Sequence, residues 1–349
     1  MSIISSRETM RNQPSTWQRR LTAIFEVCGV YMIGLIIAYA FIKLLGIEAA
    51  NPIEILQVNP NADLIEMSKK LALILLIQYG GIMLPALGIG WWHRQRRLSD
   101  YGCTVAGQPI LHHLRTGIVL FAVAELPFKL LTAVDHFIPL GAKAVTQEIA
   151  YSLNWDFKFW IFMAVGSYLL VPVVEELFYR GYVQTRFAED FDAPTFILVT
   201  ALFFTFSHSQ YYLTLSPWTI GVLLTTLFSA LVYGYVFYRT RSLVAPMVAH
   251  AMVNFPVRGV VDFLLPLVML AAVIIYRKQI IEAACTFGAM FRSDILSRWG
   301  MVVVSISIIL FVIVVAVAED IALLFGIVVL VVALVLELIE KRKLKIQNQ

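Results

Sequence analysis

The chain reads as all-α, a polytopic transmembrane helix bundle of about ten helices. Three observations carry that expectation. Only 14% of the 349 residues are charged and 60% are hydrophobic, against roughly 25% and 45–50% in soluble domains. Apolar runs of the length that crosses a hydrocarbon core, about 20 residues, recur along the sequence. Lys and Arg collect in alternate connections between those runs, as they do in membrane proteins of fixed orientation.

The elements follow in order. Residues 1–20 form a polar, basic tail. The apolar run 21–46 after it is longer than the 7–15 residues of a signal-peptide core, and no small-residue cleavage pattern closes it. It is read as a retained first membrane helix. Further spans are expected at 70–92, 111–134, 158–180, 194–212 and 218–238. Arg258 and Asp262 interrupt the next stretch, so 243–260 and 261–276 are either a bent pair or one long broken helix. Spans 300–318 and 321–339 close the chain. The division this gives is a basic tail (1–20), N-terminal membrane helices (21–155), a membrane core (156–278), and a C-terminal helical hairpin with a basic tail (279–349).

The basic residues fix the orientation expected. Arg7, Arg11, Arg19 and Arg20 precede the first span; Arg94, Arg96, Arg97 and Arg115 lie in the second loop; Arg239 and Arg241 lie in the sixth. Arg277, Lys278, Arg292 and Arg298 lie in the eighth, and Lys341, Arg342, Lys343 and Lys345 end the chain. Ten alternating helices put all of these on one side and both termini in the cytoplasm. The net charge of +4 is small and gives no reason to expect a nucleic-acid partner. Cys28, Cys103 and Cys285 stand far apart, in neither metal-ligand nor redox spacing.

Charge inside a membrane helix costs at least about 2.5–3.5 kcal/mol, so it is kept where it pairs or works. Glu125 and Lys129 are one turn apart and read as a self-neutralising contact, as do Arg258 and Asp262. Glu26 lies near a helix start, within reach of the interface. The segment Val173-Val174-Glu175-Glu176-Leu177-Phe178-Tyr179-Arg180 is different. Adjacent carboxylates project about 100° apart on a helix. Glu176 and Arg180, at i and i+4 with the acid first, make a pair, which leaves Glu175 without a local partner and available as a general base. Pro172 just before them is expected to bend the helix. Counted from a turn near Phe191, Glu175 is 16 residues away and His208 is 17, so antiparallel neighbours bring them to the same depth. His250 and Asn254 share a face of a later helix at a comparable level.

These residues resemble the intramembrane CPBP family, which includes the CAAX prenyl endopeptidases of the Rce1 type and many bacterial relatives. The pattern EExxxR is met by Glu175 to Arg180, FxxxH by Phe204 to His208, and HxxxN by His250 to Asn254, in order and on successive expected helices. The resemblance spans about 155 to 260, and the helices beyond Ser293 lie outside it. It implies an intramembrane endopeptidase, with the active site inside the bundle, acting on a membrane-associated protein or peptide in a bacterial plasma membrane. Glu175 would activate water, His208 would assist it, and His250 with Asn254 would stabilise the oxyanion; Glu176 and Arg180 would hold the geometry. No cofactor is favoured. Zinc remains the alternative, with Glu175, His208 and His250 as one carboxylate and two imidazoles. Two other functions stay open, a non-catalytic membrane scaffold or regulator, and a proton-coupled transporter, though the chain lacks the repeated halves a transporter usually shows.

Overall fold

The computed structural model describes residues 16–44, 64–138, 165, 169–208, 217–254, 260–292 and 299–317. All regular structure among them is helical. Helix α1 is Thr16–Leu44. Helices α2 (Leu64–Leu75) and α3 (Leu84–Arg94) are joined by a π-helical stretch, Leu76–Met83. A short 3₁₀ turn, Leu98–Tyr101, leads to α4 (Ile110–Phe137). Then come α5 (Val171–Glu176), a second π-helical stretch (Leu177–Gln184) and α6 (Thr185–Phe187). They are followed by α7 (Ala193–Ser207), α8 (Pro217–Thr240) and α9 (Val244–Val253). Helices α10 (Val260–Ile275), α11 (Arg277–Arg292) and α12 (Trp299–Val317) complete the described fold.

Among the described residues two helices, within Trp17–Leu44 and Trp218–Thr240, are each long and apolar enough to cross a bilayer unaided. Leu264–Ile275 and Arg277–Phe291 pass that test only together, bent by 74°. The protein is an integral membrane protein. The expected span 321–339, and the Arg258–Asp262 contact, lie outside the described residues and side chains.

Local chemistry accounts for the departures from ten plain spans. The run expected at 70–92 is one helical path with a widened centre. Pro85 follows that centre and has no N–H to bond back one turn, so the ladder loosens before it. Gly81 faces α1 there, and a Cβ at this position would fall 2.9 Å from the Gly34 carbonyl, so only glycine permits the crossing. The stretch after Tyr276, expected as a basic loop, is instead the amphipathic helix α11, whose Phe287 meets Tyr235 of α8 at 5.2 Å between rings. The run expected at 243–260 stops at Val253, where the Asn254 backbone caps the helix. Helix α10 begins at Val260, and residues 255–259 lie outside the described ones.

The core lies around α5, the second π stretch and α7, where Phe178, Tyr182, Phe187, Ile197 and Phe203 are buried. Tyr31 of α1 and Phe311 of α12 meet over this cluster, their rings 6.3 Å apart. Helix α12, outside the region of family resemblance, thus packs directly on α7. On the other side α9 runs along α4 and touches α5, which brings His250 to the glutamates.

A second polar structure clamps one end of the bundle. Glu26 is buried rather than at the interface; its Oε2 accepts from Arg186 Nε at 2.6 Å and Arg94 Nη2 at 2.9 Å. Its Oε1 accepts from the Tyr182 hydroxyl at 3.2 Å. Arg186 Nη1 also donates to Asp190 Oδ2 at 2.7 Å, and Glu189 takes both Arg94 and Arg96. Arg19 and Arg20 reach Asp190 from the start of α1. The start of α1, the end of α3 and the turn before α7 are therefore together. The Leu243 N–H donates to Gly102 O at 2.9 Å and adds the turn between α8 and α9 to the same end. Three of the basic segments read in the sequence meet at one pole.

Candidate active site

Glu176 and Arg180 are both fully buried, with Arg180 Nη1 donating to Glu176 Oε1 at 3.0 Å. The guanidinium lies between two aromatic rings, 4.5 Å from Phe204 and 5.5 Å from Tyr233, and donates to Ala230 O at 3.3 Å. These rings supply the favourable faces that a desolvated cation takes. The same Oε1 of Glu176 accepts from His250 Nδ1 at 2.9 Å. One carboxylate thus orients both an arginine on its own helix and a histidine from α9.

His208 sits at the end of α7, its backbone already out of helical geometry. Its Nδ1 donates to the carbonyl of Phe204 at 2.7 Å. A carbonyl can only accept, so this bond assigns the proton to Nδ1 and leaves Nε2 bare in the neutral ring. The spacing of Phe204 and His208 now has a physical reading: four residues put the imidazole over the carbonyl one turn back, with the two rings 4.5 Å apart.

The two Nε2 atoms converge on one oxygen. His208 Nε2 is 3.9 Å from Glu175 Oε2, and His250 Nε2 is 3.8 Å from it. That oxygen is buried and makes no hydrogen bond among the described residues. Both separations are too long for direct hydrogen bonds and are spacings that a small polar group between the three atoms can bridge. The Glu175 side chain is 14% exposed where Glu176 is 0%, so the first carboxylate is reachable and the second is not.

The structure therefore brings together Glu175, Glu176, Arg180, His208 and His250. Asn254 stands one turn beyond His250, its N–H bonded to the His250 carbonyl at 3.1 Å. Sequence reasoning missed the His250–Glu176 bond and the place of Tyr233. Nothing local in the sequence signals either, since both come from other helices. Tyr233 is buried with its hydroxyl unpartnered among the described residues, its ring 6.3 Å from that of His250. Glu125 is buried on α4 with Lys129 as the opposing charge beside it, as the spacing predicted.

For zinc, Glu175, His208 and His250 would be the donors, and their separations are wider than a tetrahedral ion sets. With bonds of about 2.0–2.1 Å, atoms 3.8–3.9 Å apart subtend roughly 140° at the metal, where a tetrahedron has about 109°. Among the described residues no group of three or more His, Cys, Asp or Glu side chains is arranged to hold a metal ion.

Residues 157–256 match the family described as type II CAAX prenyl endopeptidase, Rce1-like. All six residues singled out lie in the matched region. No curated protein and no solved structure matches the chain.

Proposed function

We propose that the protein is an intramembrane endopeptidase in which Glu175 activates a water molecule. The observation that carries this is the unpartnered Oε2 of Glu175, with two imidazole Nε2 atoms turned toward it at 3.8 and 3.9 Å. A water between these atoms has its hydrogens directed at Glu175 and His208 and keeps a lone pair for the scissile carbonyl. As the oxygen attacks the carbonyl carbon, Glu175 takes one proton and His208 Nε2 holds the other. Glu175 then passes its proton to the leaving nitrogen, as general acid–base catalysis requires. His250 is fixed through Nδ1 by Glu176, and as the imidazolium it donates Nε2–H to the oxyanion. Asn254, one turn further on the same face, supplies the amide for the oxyanion. Glu176 and Arg180 hold His250 and the helix in register and take no proton. No step needs a metal.

The substrate in this reading is a segment of a membrane-associated protein or peptide that reaches the partly open side of Glu175. The basic pole of the bundle is cytoplasmic, both termini with it. The test is incubation of purified wild-type protein and Glu175→Ala with a membrane proteome, followed by sequencing of new peptide termini. Termini made by the wild type and absent with the variant are expected. Identical sets would leave a scaffold that keeps these residues for stability.

A further inference from the structure

We infer that the cavity between the start of α4 and the end of α8 binds a phosphate group. It measures about 270 Å³ and is lined by Ala106, Gln108, His112, His113, Arg239 and Thr240. Its position is the basic pole, away from Glu175: Arg239 and Thr240 end α8, and the α8–α9 turn that follows is tied to Gly102.

Four features point to an anion of this kind. The lining holds an arginine, two histidines and an amide, and among the described residues no carboxylate. It sits at the N-terminus of α4, a helix of 28 residues whose dipole favours negative charge. His113 is fully buried, and its Nε2 is engaged with the Val105 carbonyl at 2.8 Å. Its Nδ1 has no partner among the described residues, although the ring lines the cavity. A buried ring nitrogen left unpaired costs about 1–3 kcal/mol, which a ligand removes. With Nε2–H donated to the Val105 carbonyl, Nδ1 is an acceptor that a phosphate P–OH satisfies. Arg239 is exposed at the rim and suits a phosphate oxygen pair. A phosphate monoester meets these demands, and it comes either from the headgroup of a lipid at this face or from a soluble phosphate compound.

The experiment uses the full chain in two arms. Purified protein in detergent is dialysed to equilibrium against radiolabelled inorganic phosphate. Protein in phosphatidylcholine nanodiscs, with and without phosphatidic acid, is analysed by native mass spectrometry. One saturable site per chain is expected in at least one arm, weakened tenfold or more by Arg239→Gln and by His113→Gln. Arg277→Gln, an exposed arginine at the start of α11, should leave it unchanged. Arg239 is exposed, so its variant folds even where the His113 variant does not. Binding in the dialysis arm means a soluble phosphate compound, and binding of phosphatidic acid alone means a lipid headgroup. No saturable binding in either arm, or equal loss with Arg239→Gln and Arg277→Gln, overturns the site.

Discussion

His250 donates through Nδ1 to Glu176 Oε1 at 2.9 Å, while its Nε2 stands 3.8 Å from Glu175. Two glutamates adjacent in sequence are thus distinguished by the two nitrogens of one ring. Glu176 holds Arg180 and His250 on one oxygen and is sealed from solvent; Glu175 is partly open, and its Oε2 faces the Nε2 atoms of His208 and His250. The division of labour is set by which way each carboxylate leaves the helix.

Breaking the sealed pair should cost stability first. Removing one partner of a buried ion pair typically costs about 3–5 kcal/mol, because the other charge is stranded. Arg180→Ala strands Glu176 and also empties the space between Phe204 and Tyr233. Its melting temperature in detergent is expected to fall well below that of Glu175→Gln. Equal melting temperatures for the two variants would count against a structural role for the pair.

The polar clamp should separate stability from chemistry. Glu26→Gln removes the carboxylate that Arg186 and Arg94 share. Asp190 and Glu189 still hold Arg186, so the loss is expected below the about 3–5 kcal/mol of a fully stranded charge. Cleavage at a low, permissive temperature should persist, because Glu26 does not touch the site. Unfolding curves and cleavage rates on the same preparation measure both. An unchanged melting temperature would remove the clamp from the account.

The fold was legible where composition and spacing speak for themselves, and so was much of the site. Nearly equal counts of 16 and 17 residues from the turn placed Glu175 and His208 at one depth, and their side chains lie 3.9 Å apart. That inference worked because an antiparallel helix pair converts residue count into height. His250 approaches from α9, whose position depends on packing against α4, so its bond to Glu176 had no local signature. Glu26 misled for a related reason: its partners are 68 and 160 residues away. The π-helical stretches answer to helix crossings at Gly81 and beside Gly181, where a Cβ would fall 3.0 Å from the Tyr101 carbonyl. Periodicity alone does not reveal such crossings.

Orientation is testable without any substrate. Reporter fusions at Gln349 and near Asp63 should sit on opposite sides of the membrane, with Gln349 cytoplasmic. The same side for both would break the ten-helix alternation.

Metal dependence follows from the width of the donor set. Active, purified protein is expected to contain well under one zinc per chain by elemental analysis and to keep its rate in a strong zinc chelator. Stoichiometric zinc that leaves with activity, and restores it on return, would replace the carboxylate mechanism with a metal one.

The central claim is that Glu175 is the base. The most direct measurement is the cleavage rate of Glu175→Gln against wild type, on a substrate peptide found by terminus sequencing, at matched folded concentration. The exchange keeps shape and removes only the basic carboxylate, so the rate should fall at least about 10²–10⁴-fold with little change in melting temperature. Cleavage by Glu175→Gln at the wild-type rate would contradict the account.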